Sequence, residues 1–321
     1  MKRGLIAWDE NELPRAVLDG RLAKARSVAS SLDVSAVVVY ADLWRANPVR
    51  SLVNFMPYWG RSLLVVPLSG GTILLCGNSP RVYPWLRTVT YVDELRHSKD
   101  FGSDLAALAA EHAWSRIGVL DLSKLPYDVY RPLVGAGLEV TNIPLATLLG
   151  APDPTELSIR RDAAAATRRL VEQAIAELQA GSEHELVACH ERALRTGGME
   201  DVIIRVVTDG ISAPRPASDR PIDSSTSVVV ASEYRGHWVQ LSRPVGPYND
   251  EGRARLVDAL IDWSSARIVL FDLSGDVPFR MMPKDARIEP GRLVSVHVES
   301  SAGRWYGDTC VTESATSARL L

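Results

Sequence analysis

SVVVASEYRGHWVQLSRPVG, residues 227–246, holds the pattern from which the fold of this 321-residue chain is read. The run Val228, Val229 and Val230 leads into Glu233-Tyr-Arg-Gly, a turn signal, and the segment from His237 to Val245 then alternates in polarity. Two half-buried strands joined by a short glycine-containing turn make a β-hairpin. Such a hairpin presents side chains to a central cavity.

Working upstream, the pattern predicts a strand over 202–208, preceded by a helix that Ser182 and Glu185 open at capping-box spacing and that runs to about Arg195. Before it, Thr155 is a candidate cap for a helix running to about Ala180 and stopped by Gly181. Leu157, Ala164, Leu170, Ala174 and Leu178 face a core in this reading, with arginines on the wet side. Downstream, a helix is expected over 250–266, strands over 268–273 and 293–298, and a last strand around 308–312.

Ala151-Pro-Asp-Pro-Thr-Glu marks a boundary, since two prolines flank an acid just before a long periodic segment. Upstream of it, helix patterns at 13–32, 79–86, 103–114 and 126–134 alternate with strand patterns at 35–40, 63–68, 72–76, 89–92, 116–120 and 138–142. Alternation of this kind implies an α/β layered domain with a partly parallel sheet. The expected organisation is an α/β domain over 1–150 and a second, α+β domain over 151–321.

Composition narrows the function classes. A net charge of −3 with no clustered basic face removes the electrostatic reason to expect nucleic acid. The three cysteines, Cys76, Cys189 and Cys310, lack CxxC spacing, so no disulfide framework or thiolate zinc site is expected. The basic start MKRGLIAWDENELP lacks an apolar h-region, and no apolar run reaches the roughly 20 residues that span a bilayer. The expectation is a cytoplasmic protein without membrane contact, acting on a small-molecule or peptide ligand. No phosphate-cradling glycine motif occurs, and no cofactor is expected.

From residue 152 onward, the order helix, helix, strand, proline-rich loop, hairpin, helix and terminal strands resembles the pita-bread family of creatinases, prolidases and aminopeptidases P. The phrases that carry the resemblance are Thr208-Asp-Gly-Ile-Ser before the proline-rich loop, the hairpin ending Arg243-Pro-Val-Gly, Ile288-Glu-Pro-Gly-Arg-Leu-Val-Ser-Val, and Gly307-Asp-Thr-Cys-Val-Thr-Glu. The amino-terminal region is similar to a creatinase-type amino domain. The resemblance implies a homodimer and, for the peptidases of the family, a dinuclear metal centre.

Matched position by position, that centre loses its ligands. The family's two hairpin aspartates fall on Val229 and Gln240, eleven residues apart. Its histidine after the proline-rich loop falls near Arg215, one glutamate falls on His297, and the last falls on Gly307 beside a retained Asp308. The segment between Asp262 and Ile288 is short, so the family's glycine-rich loop with a further histidine is missing. Hard divalent metals need several oxygen or nitrogen ligands, so no metal site is expected.

Three readings follow. The resemblance to creatinase implies a metal-independent hydrolase or lyase, with His297 and Glu299 as an acid/base pair two residues apart on a strand, and Gln240 hydrogen-bonding. Its substrate is a small carboxylate-bearing, amino-acid-derived metabolite. Arg215 anchors the carboxylate, and His237, Trp238, Tyr306 and Asp308 are further binding candidates. The second reading is a pseudo-peptidase that binds or scaffolds. The third is an Xaa-Pro-type metallopeptidase whose ligands lie elsewhere. Arg243 is expected to form a structural ion pair, with Asp308 a candidate partner, and His112, His184, Cys189 and His190 are read as structural.

Overall fold

Arg235 and Gly236 both adopt positive φ, 51° and 83°, so the hairpin closes through a two-residue loop of the primed kind that matches the right-handed twist of its strands. In the computed structural model, which describes residues 8–58, 60–178, 181–208, 213–246, 250–264, 268–275, 278–283 and 288–321, these strands are β8 (Ser227–Tyr234) and β9 (His237–Pro244). They pair antiparallel from Ser227 with Pro244 to Tyr234 with His237. Residues 209–212 of the proline-rich phrase, Ala180, and residues 265–266 of the expected helix end lie outside the described residues.

The chain forms two compact units that divide between Gly150 and Ala151. In the amino-terminal unit the strands are β1 (Ala36–Ala41), β2 (Ser62–Pro67), β3 (Ile73–Cys76), β4 (Glu94–His97), β5 (Arg116–Leu120) and β6 (Glu139–Ile143). The helices are α1 (Arg15–Ser31), α2 (Asn47–Val53), α3 (Tyr83–Val89), α4 (Phe101–Glu111), α5 (Tyr127–Gly135) and α6 (Leu145–Leu149). The sheet runs β4-β3-β2-β1-β5-β6. It is parallel at β3/β4, β1/β5 and β5/β6 and antiparallel at β1/β2 and β2/β3.

Strand β1 is apolar throughout because both of its faces are covered. Val37, Val39 and Ala41 enter a core with α1, α2 and α3, while Ala36, Val38 and Tyr40 enter another with α4 and α5. The strand expected over 89–92 is displaced to β4. Val89 instead closes α3, and Tyr91 and Val92 pack on the first core from a loop. The true edge strand, Glu-Leu-Arg-His, is largely polar, as edges are when they resist further pairing, and an apolar pattern does not mark it.

The carboxyl-terminal unit adds α7 (Pro154–Glu177), α8 (Glu183–Thr196), α9 (Asp250–Ile261), β7 (Asp201–Val207), β10 (Ile268–Asp272), β11 (Arg280–Met281), β12 (Leu293–Glu299), β13 (Trp305–Thr312) and β14 (Ala318–Leu320). Its antiparallel sheet has the order β11-β10-β12-β13-β9-β8-β7, with β14 beside β13. Helix α7 is capped by Asp153, whose carboxylate accepts from the Glu156 amide, and not by Thr155. Pro154 at the first helical position sets that start. The Ser182/Glu185 capping box of α8 forms as expected.

Helices α7, α8 and α9 lie against one face of the sheet. Val171, Leu186 and Leu194 meet Ile204, Val206, Val228, Val230 and Leu241 there, and Leu256, Ala259 and Leu260 meet Val294, Val296, Val298, Tyr306 and Cys310. Two arginines of α7 depart from the wet-face expectation. Arg160 is buried against the carbonyl of Trp238, and Arg168 reaches Asp308. Strand alternation then fixes what the other face displays.

Candidate functional site

One register row crosses the sheet on the face away from the helices: Arg205 on β7, Val229 on β8, Ser242 on β9, Gly307 on β13, His297 on β12 and Val269 on β10. The neighbouring row carries Ile203, Ala231 and Gln240 on β7 to β9, and Thr309, Ser295 and Phe271 on β13, β12 and β10. Val229, Gln240, His297 and Gly307, the positions that the sequence resemblance assigns to metal ligands, thus lie together on this face.

Glycine at 307 decides how they interact. A Cβ there would overlap the His297 Nδ1 and lie 2.6 Å from its Cγ, so the imidazole occupies the space a side chain at 307 would take. Across that gap His297 Nδ1 lies 2.8 Å from Ser242 Oγ. On its other side Nε2 lies 3.0 Å from Ser295 Oγ, and Ser295 Oγ donates a short hydrogen bond to Gln240 Oε1. With Ser295 donating to Gln240, Nε2–H donates to Ser295 and Ser242 O–H donates to Nδ1. The result is one directed chain from Ser242 to Gln240.

The chain is neutral and dry. Ser242, Ser295 and Gln240 are fully buried, and His297 is 1% exposed. Desolvation, reinforced by the positive Arg243 nearby, lowers the His297 pKa to about 3. Phe271 meets the imidazole edge-on at 5.2 Å, and Trp305 lies tilted at 5.7 Å. Val207, Val229, Phe271 and Trp305 form an apolar cluster, with Val269 and Phe279 packed on it.

Glu299 shares the His297 face and is half-buried, paired across the strands with Trp305. The two imidazole nitrogens, however, engage serines, so His297 and Glu299 do not form the expected pair. Trp238 is buried on the same face as Gln240. Tyr306, Asp308 and His237 fall on the helix-covered face. Asp308 accepts from Arg168 and from Arg243, while Tyr306 lies under the Arg243 guanidinium, 4.3 Å from ring centroid to Cζ. His237 Nδ1 is 3.5 Å from Glu156. One residue of offset along a strand separates these side chains from the face that carries Gly307.

Arg215 is committed elsewhere too. Its guanidinium pairs with Glu183 through both nitrogens, at 2.7 and 2.5 Å. That pairing lowers the Glu183 pKa to about 2 against the opposing effect of burial, with Ser218 donating two further bonds. A bidentate arginine held on a buried carboxylate works as a clamp between the 213–218 loop and α8. Sequence reasoning missed Ser242, Ser295, Phe271 and Arg205. The serines were findable from the period of two, being the polar neighbours of Gln240 and His297 on one face.

The residues present do not fit a dinuclear metal centre. Val229 offers no donor, Gly307 has no side chain, Gln240 already accepts from Ser295, and both His297 nitrogens are engaged. Among the described residues no group of three or more His, Cys, Asp or Glu side chains comes together. Likewise, no described helix is long and apolar enough to cross a membrane.

The sequence matches no protein-family model and no curated protein. Solved structures do match. The X-Pro aminopeptidase of Thermotoga maritima MSB8 superposes with a TM-score of 0.71 at 13% identity, over 93% of this chain and 96% of that one. The prolidase of Pyrococcus horikoshii OT3 gives 0.67 at 13% identity, over 94% and 97%. Dipeptidase PepE of Mycobacterium ulcerans gives 0.66 at 16% identity, over 96% of both chains. At such identities the likeness establishes the fold: this chain has the two-domain, creatinase-like pita-bread architecture of prolidases and aminopeptidases P.

Proposed function

We propose that this chain is a ligand-binding pita-bread protein in which the catalytic face of the fold has become a neutral, packed surface, and that it is not a metallopeptidase. The observation that carries the reading is the fit of the His297 imidazole into the space left by Gly307, where serines hold both ring nitrogens. An imidazole whose pKa lies near 3 is too weak a base to be matched to proton transfer at neutral pH. The Arg215 guanidinium, held by Glu183, is not available to a substrate carboxylate. Val229, Gln240, Gly307 and the neutral His297 stand at the sheet positions that the resemblance assigns to metal ligands, so this part of the face offers shape and hydrogen bonds in place of a charged catalytic group.

The test is elemental analysis of the purified protein, combined with an assay on dipeptides ending in proline in the presence of manganese, cobalt or zinc. Neither stoichiometric metal nor metal-dependent cleavage is expected, and finding either one overturns the reading.

A second reading, metal-independent hydrolysis, has one geometric support. Ser242 Oγ donates to His297 Nδ1 at 2.8 Å, as a nucleophile does to its base. If that pair is active, a fluorophosphonate probe labels the protein and labelling is lost in Ser242→Ala. Absence of labelling leaves binding as the role.

A further inference from the structure

Away from the strands, a groove of about 560 Å³ opens between α7 and α8. That volume is in the range of small-molecule sites. Unlike the His297 face the groove reaches solvent, since Ala188, Arg192 and Thr196 along it are exposed. The two helices run antiparallel, with Cys189 Sγ reaching the Ala174 carbonyl at 3.8 Å. Leu170 stops one end, its side chain filling the space that a Cβ on Gly197 would take. The small side chains of Ala188, Cys189 and Ala193 leave room between the helices, and the lining is mostly apolar.

Charge is spread unevenly along this groove. At the end opposite Leu170 stand Glu177 and Glu185. Neutral donors hold both carboxylates: the Gln173 amide donates to Glu177 at 2.8 Å, and the Ser182 backbone N–H donates to Glu185 at 2.8 Å within the capping box. Arg192 lies on the groove two helical turns after Glu185, about 10 Å along the axis. Among the described residues no cation pairs with either glutamate, and no carboxylate pairs with Arg192. Arg195, one turn further on, does have such partners in Glu191 and Asp201.

Shape and charge together select the occupant. From Glu185 to Gly197 the groove runs about 18 Å, so 560 Å³ corresponds to a cross-section of about 30 Å². A helix, about 10–12 Å across, presents roughly 80 Å² or more and is too wide to enter. An extended peptide would set its amide groups against apolar walls without hydrogen-bond partners, whereas an alkyl chain carries no such groups. We propose that the α7/α8 groove binds an extended organic zwitterion, an apolar chain with an ammonium at Glu177 and Glu185 and a carboxylate at Arg192. This rests on the ligand-binding reading above and gives it a site and a ligand class. Exposed ion pairs are individually weak, so recognition requires both ends and a chain of matching length.

The experiment is calorimetric titration of the full chain with four probes: 8-aminooctanoate, octanoate, octylamine, and 4-aminobutyrate, which carries both charges on a shorter chain. The first should bind tightest. Arg192→Gln should weaken it and octanoate alike, by about threefold to fivefold, the scale of an exposed ion pair, and leave octylamine unchanged. Glu177→Gln should do the reverse, weakening 8-aminooctanoate and octylamine by a smaller factor because Glu185 remains, and sparing octanoate. Ala188→Trp, which fills the groove, should abolish binding. Circular dichroism of each variant confirms that it is folded. Equal binding of a singly charged probe or of 4-aminobutyrate, unchanged affinity in folded Ala188→Trp, or no binding at millimolar concentration overturns the proposal. Dimerisation that Ala188→Trp abolishes would assign the groove to a second copy and overturn it as well. Metal-dependent cleavage in the separate peptidase assay would instead overturn the reading beneath it, so the two failures are distinct.

Discussion

Arg243 and His297 are each 1% exposed and sit on neighbouring rows of one sheet, yet they are stabilised in opposite ways. On the helix-covered face, Arg243 stays charged. It donates to Asp308, to Glu172 and to the carbonyls of Ser242 and Gly307, and it stacks on Tyr306. On the opposite face, His297 stays neutral between two serines with aromatic rings around it. The residues in contact with them explain the contrast. Desolvation opposes charge at both sites, but only Arg243 has carboxylates, Asp308 and Glu172, within reach to offset it. The buried charged network lies on the helix-covered face, whereas His297 and the side chains that hydrogen-bond to it on the other face are uncharged.

The contrast breaks most severely if Asp308 is replaced. Asp308→Ala removes the carboxylate shared by Arg243 and Arg168 and leaves a buried guanidinium short of its counter-charge, which should cost about 3–5 kcal/mol in urea unfolding. A loss under about 1 kcal/mol would show that Glu172 alone sustains Arg243.

Adding volume to the neutral face should have the next largest effect. In Gly307→Ala the new Cβ meets the imidazole and also the Val296 carbonyl at 2.6 Å, so a loss of about 1–3 kcal/mol is expected. Combining it with His297→Ala should show coupling that recovers part of the loss, the carbonyl contact remaining. Strict additivity would mean that the imidazole does not fill the space at 307.

The pH dependence of stability tests the neutrality of His297. The unfolded chain takes up a proton near 6.5 and the native chain only near 3, so the unfolded state binds more protons in between. Stability should therefore fall as pH drops below about 6.5, by up to about 1.4 kcal/mol per unit for this group. His190, also buried with a lowered pKa, acts in the same direction. His297→Gln should thus shallow the slope without abolishing it, and an unchanged slope would show that His297 does not contribute. The smallest effect is reserved for Ser242→Ala, which takes away one hydrogen bond to a neutral ring and should cost about 1 kcal/mol.

Much of this molecule was legible in advance. The hairpin, the Ser182 capping box, strands β5, β6 and β12, and the layered alternation of the first 150 residues follow from local periodicity and turn chemistry, which act over a few residues. The 89–92 strand was misplaced because an apolar run can close a helix onto a core as readily as it can build a strand. Thr155 fits the capping rule by residue type, but Asp153 takes the cap because Pro154 occupies the first helical position. Among candidate site residues, His297, Glu299, Gln240 and Trp238 share a face, whereas His237, Tyr306 and Asp308 do not. Alternation along β9 and β13 already separated Gln240 from His237 and Gly307 from Asp308. What was missing was which face looks away from the helices.

By itself, the sequence determined the order of elements and the identities at the ligand positions, because chain order, propensity and residue chemistry are local properties. Val229 and Gly307 offer no side-chain ligand whatever surrounds them. Only the tertiary structure decided which polar groups meet. Ser242 and His297 are 55 residues apart, as are Gln240 and Ser295, and Arg215 is 32 residues from Glu183. Those pairings follow from strand register and from the open space over a single glycine, properties that exist only once the sheet has formed.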